Sequence, residues 1–135
     1  MRKLTLLTLL LLCGGTGAAT PAPGDAHAYI IYPRDGATVQ SPVTVVFGLV
    51  NMGVAPAGVD KADTGHHHLL IDAGPPPPGQ PIPSNDHYRH FGGGQTQTTL
   101  ELAPGTHTLQ LLLGDMNHVP HDPPVMSERI TIQVE

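Results

Sequence analysis

Nine histidines, and a single cysteine at position 13, define the chemistry this chain can offer. Three of the histidines stand side by side in the stretch TGHHHLLID, residues 64–72, as His66, His67 and His68. The others are His27, His87, His90, His107, His118 and His121. Neutral imidazole is the commonest protein ligand for transition metals. A histidine-rich set without thiolates suits Zn(II) or Cu(II), and methionines such as Met52 and Met116 would add affinity for Cu(I). Cu(II) outcompetes Zn(II) at a given nitrogen or oxygen site, so the choice between them falls to geometry and supply. The same residues have a second reading. Rings gathered at a loop-rich end of a domain can brace backbone carbonyls and the carboxylates of Asp115 and Asp122, as hydrogen-bonded struts in a chain without disulfides. HHH followed by a distant HxxH is compatible with both.

Signatures of covalent or acid–base catalysis are missing. There is no G-x-S-x-G elbow, no cysteine nucleophile in the mature chain and no glycine-rich phosphate loop after a strand. A metal-bound water or an imidazole–aspartate relay is the remaining enzymatic option, and it ranks last.

The elements that must position these rings follow from composition and pattern. Met1-Arg2-Lys3 is a basic start, Leu4 to Leu12 an apolar run, and Gly17-Ala18-Ala19 a small-residue cleavage signal. Residues 1–19 are thus expected to be a secretory signal peptide, too short and wrongly flanked for a transmembrane helix. Cleavage would carry away Cys13 and two of the six basic residues, leaving four against eleven acidic ones, a net charge of −7. Such an acidic domain is a poor partner for nucleic acid, and nothing after the signal would insert in a membrane. The expected location is periplasmic or secreted. A cut after Ala26 is the alternative; it would make His27 the mature N-terminus, whose amine and ring together could chelate Cu(II).

Residues 20–27 read as a flexible leader and 28–135 as one folded domain. Fifteen prolines and sixteen glycines argue for short strands and many turns. Apolar, β-branched runs mark strands at about 28–32, 43–50, 66–72, 87–91, 96–102, 107–113 and 129–134. Asp35-Gly36 and Pro104-Gly105 are turn signals between them. AGPPPPGQPIPSND cannot pair within a sheet, because proline lacks the N–H a ladder needs, and reads as an exposed connection. About seven strands in this length predict an all-β, immunoglobulin-like antiparallel β-sandwich, with a small β-barrel as the alternative.

That topology would gather the start of the third strand, the end of the fourth and the long loop at 114–127 at one pole. Strand alternation would put His66 and His68 on one face with Leu70, and His67 on the other with Leu69 and Ile71. The candidate metal ligands are therefore His66, His68, His90, His118 and His121. His107, beyond the Pro104-Gly105 turn, falls at the opposite pole, where its ring can cap the turn by bonding nearby backbone.

YPRDGATVQSPVTVVFGLVNMGVAPAG, TGHHHLLID, HFGGGQT and LAPGTHTLQLLLGDMNHVPHDPPVMSERITI together resemble the DUF4399 family of exported bacterial domains. The likeness runs over nearly the whole mature chain. It implies an exported immunoglobulin-like domain and no particular mechanism. More loosely, HAYIIYPRDGATVQSPVTVVF is similar to the start of CopC-type copper-binding domains, which also begin with His, a strand, a Pro-x-x-Gly turn and a second strand.

The reading that joins these expectations is an exported domain that binds a copper or zinc ion at a loop pole, as a carrier or buffer. The competing reading is an interaction module that binds another envelope protein and keeps its histidines for structure.

Overall fold

The computed structural model describes residues 19–135. The expected signal peptide, Ala19 apart, lies outside the described residues. Within them the chain is all-β: β1 (His27–Tyr32), β2 (Thr38–Val39), β3 (Val43–Val50), β4 (Gly53–Val54), β5 (Thr64–Ile71), β6 (Tyr88–His90), β7 (Gln97–Leu100), β8 (Gly105–Gly114) and β9 (Ile130–Val134). Seven of these are the strands expected from the sequence. The two additions, β2 and β4, are two-residue strands that run parallel to β9 and β5.

Two sheets form the sandwich. One has the order β1-β3-β7; the other runs β2-β9-β8-β5-β4, with β6 also paired to β5. The principal pairings in both are antiparallel. The period-2 pattern explains which side chains meet between them. Val43, Val45 and Phe47 of β3 point inward against Leu69 and Ile71 of β5, Leu109 and Leu111 of β8, and Ile130, Ile132 and Val134 of β9. Asp35-Gly36 forms the expected turn. Gly36 takes a positive φ of 77°, its N–H donates to the Thr131 carbonyl, and the Asp35 carboxylate accepts the Thr131 N–H at 2.8 Å.

β5 and the end of β8 are buried on both faces, which a two-layer sandwich alone would not do. Two long loops, 73–87 and 115–129, fold over the outer face of the larger sheet. Leu70, Leu112 and Ile82 make a second apolar cluster there, flanked by Tyr88 and Met126. The proline-rich connection is thus more than an exposed link. Most of it faces solvent, but Ile82 is buried, and its N–H donates to the His118 carbonyl at 2.8 Å. One aliphatic residue among prolines anchors the segment, because Leu70 and Leu112 offer it an apolar seat. No helix among the described residues is long and apolar enough to cross a membrane.

Candidate metal centre

Three consecutive histidines on β5 separate by strand alternation. His67 points into the core, with its ring centroid 5.2 Å from that of Phe47. His66 and His68 point to the outer face, with ring centroids 4.7 Å apart. Register supplies the next ring: His90 of β6 is directly paired with His68, so both side chains lie on the same face, 5.1 Å apart by ring centroid. On the other side of β5, His66 pairs with Gly114 and His68 with Leu112.

His118 arrives from the 115–129 loop through a tight turn that Asp115 organises. The Asp115 N–H donates to the Val119 carbonyl at 2.9 Å, and the His118 N–H donates to the Asp115 carbonyl at 3.0 Å. The Asp115 carboxylate accepts the amides of Asn117 at 2.8 Å and Val119 at 3.0 Å, and the Thr20 hydroxyl at 2.7 Å. Inside this turn His118 takes a left-handed φ of 65°. Such a conformation costs a side-chain-bearing residue about 1–2 kcal/mol and calls for a compensating role.

Two glycines make room for the rings. A β-carbon on Gly114 would lie 2.7 Å from His68 Cε1 and 3.3 Å from His118 Cα; one on Gly92 would run into the His90 ring, 2.7 Å from its Nε2. Either addition would displace a ring of the cluster.

His66, His68, His90 and His118 each offer one ring nitrogen, and these four atoms lie within 4.8 Å of one another. His66 Nε2 and His118 Nδ1 share a hydrogen bond at 3.1 Å. The nitrogen–nitrogen edge of a tetrahedral Zn(II) site is ~3.3 Å for bonds of ~2.0 Å, so small ring rotations would close the set on one ion. Protonation does not stand in the way. Burial, followed by the neighbouring His90 and His118, lowers His66 to about 4. Burial, followed by His66, His90 and His118, lowers His68 to about 3. His90 is lowered as well, first by burial and then by His118. These rings are therefore neutral at physiological pH, with lone pairs free. Asp115 is the nearby carboxylate whose field favours a positive charge at His66. Burial would raise the pKa of Asp115, but the Thr20 hydroxyl, the two amides and His121 outweigh it, so the pKa is lowered and the group is an anion. With its oxygens engaged by those donors, it serves as a counter-charge beside the rings rather than as a ligand.

The fifth expected ligand lies elsewhere. His121 is buried, but its Nε2 donates to the Thr64 carbonyl at 3.1 Å. Its ring occupies the space a Gly65 side chain would need: a β-carbon there would lie 2.9 Å from His121 Cε1. By alternation Gly65 and His66 point to opposite faces, so a ring seated over Gly65 is directed away from the cluster. The cluster lies on the outer face of the larger sheet, near the end where β5 begins and β8 runs into the loop that carries His118, with His90 exposed. β5 begins at Thr64, which places His66 and His68 within the paired strand.

The remaining histidines have other duties. His107 Nε2 donates to the Ala103 carbonyl at 2.8 Å and Nδ1 to Asp72 Oδ2 at 2.7 Å. Two donating nitrogens require the imidazolium, in line with a pKa raised first by the Asp72 hydrogen bond. The ring caps the turn before β8, as its position suggested, and ties it to the end of β5. His87 Nδ1 bonds the Ile71 carbonyl at 2.9 Å, and His27 is exposed, its Nδ1 3.2 Å from the Asp25 carbonyl.

Comparison with known proteins adds a family. The family model described as "Domain of unknown function (DUF4399)" matches residues 45–135, so the chain belongs to that family. Neither curated proteins nor solved structures offer a significant match.

Proposed function

We propose that this DUF4399 domain is an exported carrier or buffer that binds one copper or zinc ion through His66, His68, His90 and His118. The observation that supports this most is the convergence of four imidazoles, from two strands and a loop, to within 4.8 Å. A fully hydrogen-bonded structural cluster would pair all its ring nitrogens, whereas one ring–ring bond, between His66 and His118, is formed. Here the buried Nδ1 atoms of His66 and His68 have no partner, and leaving such atoms unpaired costs about 1–3 kcal/mol each. A left-handed His118 and a ring-accommodating Gly114 point the same way: the fold bears local costs to bring these rings together.

Four protein ligands would fill a tetrahedral shell, leaving no position for an activated water, which favours holding a metal over hydrolysis. Exchange has a route, because His90 is exposed and His118 half-buried. Copper is favoured by nitrogen affinity and zinc by a tetrahedral closed shell, so both belong in the test. Titration of the tag-free mature domain with Zn(II) and Cu(II) by calorimetry should give one site tighter than micromolar that is lost when His66 and His68 are both replaced by Ala. Weaker binding, or binding indifferent to those replacements, refutes the proposal.

A further inference from the structure

Residues just after the expected signal are built into the turn that carries His118. Pro21 forms a parallel bridge with Asp122, the Ala22 N–H donates to the Asp122 carbonyl at 3.2 Å, and the Asp122 N–H donates to the Thr20 carbonyl at 3.0 Å. Thr20 also gives its hydroxyl to Asp115 Oδ2. That carboxylate holds the amides of Asn117 and Val119, the residues on either side of His118. A stretch whose composition suggests a loose leader thus closes a short circuit: Thr20 to Asp115, Asp115 to the His118 turn, and the turn back to Thr20 through Asp122.

We propose that Thr20–Ala22 is a clamp of the metal centre, with Thr20 positioning His118 through Asp115, so that signal removal must fall before Thr20 for the exported domain to bind metal fully. This rests on the metal reading above. It also decides between the two cleavage positions in the sequence. A cut after Ala19 keeps the whole clamp. A cut after Ala26 removes Thr20, Pro21 and Ala22 together, leaves Asp115 with only its two amide donors, and frees one side of the 115–122 turn. Losing a group hydrogen-bonded to a metal ligand typically lowers metal affinity by about 10–100-fold, and Thr20, one bond further out, belongs at the low end of that range.

The full chain is exported with its own leader, and the mature protein is recovered as wild type, Thr20→Val and Thr20→Ser. Intact mass should show the wild type starting at Thr20; a start at His27 would overturn the clamp. Zn(II) affinity should fall by about 10-fold or more in Thr20→Val and return in Thr20→Ser, which keeps the hydroxyl. Amide exchange at Asn117 and Val119, measured without metal, should quicken in Thr20→Val while amides of β8 do not change. Equal affinity and equal exchange in wild type and Thr20→Val overturn the clamp and leave the metal reading standing. Faster exchange in Thr20→Val, with no zinc binding by any of the three, supports Thr20 as an anchor of the His118 turn and refutes the metal reading.

Discussion

Replacing His67 by leucine tests whether the middle histidine plays a different part from its neighbours. His67 is 1% exposed, lies against Phe47, and neither of its ring nitrogens has a hydrogen-bond partner. Leucine, of similar volume, removes those unpaired atoms, and one such buried atom costs about 1–3 kcal/mol. His67→Leu should therefore be more stable than the wild type by that order at neutral pH. Acid should widen the gap. Burial lowers His67 from 6.5 to about 4, so the unfolded chain takes up the proton first. A folded-state value below the unfolded one means that stability, complete above about pH 6.5, drains as the pH falls and is fully lost below about 4. At about 1.4 kcal/mol per pH unit the whole penalty is about 3 kcal/mol, of which roughly 2 kcal/mol has gone by about pH 5. The leucine variant lacks this term, whereas His66 and His68 contribute equally to both proteins. Urea denaturation of metal-free protein at about pH 7.5 and about pH 5 should show the gap growing by roughly 2 kcal/mol, with zinc affinity at neutral pH unchanged. A gap that stays constant, or a variant about 1 kcal/mol or more less stable than wild type, would refute a neutral, unpaired core imidazole.

Other outcomes follow from the same geometry. Gly92→Ala, whose β-carbon meets the exposed His90 ring, should lower zinc affinity by about 10-fold with little loss of melting temperature, whereas Gly114→Ala should reduce both. His121→Ala should leave metal stoichiometry intact and cost stability by about 1–3 kcal/mol, read from urea denaturation, because its partner is the Thr64 carbonyl. Since burial keeps His66 and His68 neutral well below 6.5, bound metal should survive dialysis at about pH 5.5, where ordinary histidines are mostly protonated. For His107 the sign reverses: its raised value means its contribution is present below about 6.5 and fades as pH rises through the folded value. An NMR titration should place His107 above an ordinary histidine, and Asp72→Asn should bring it down.

Much of this arrangement was legible in the residues. β-branched alternation located seven strands, and the two-residue period alone separated His67 from His66 and His68. The sandwich topology brought the end of the strand bearing His90 to the start of β5, where it pairs with His68. What the sequence hid depends on side-chain seats and loop closure. His118 and His121 are three apart in one loop, and spacing gives no way to tell which ring turns to the cluster. The choice is made by the Asp115 turn, which sets a left-handed φ at His118, and by Gly65, whose missing side chain receives His121. Ile82 among prolines gave only a faint signal of a covering loop; its seat, Leu70 and Leu112, lies on a face a simple sandwich would leave to water. β2 and β4 are too short to leave any period. Thr20 looked like leader because its hydrogen-bond partner, Asp115, lies 95 residues away in sequence.

If four imidazoles share one ion, X-ray absorption at the metal edge reads that shell directly. Tag-free domain carrying one equivalent of Zn(II) or Cu(II) should show about four nitrogen neighbours at ~2.0 Å with the outer-shell scattering of imidazole rings. His66→Ala and His118→Ala should each lower the imidazole count by one. A shell dominated by oxygen, or an imidazole count unchanged by either substitution, would rule out a shared four-histidine site.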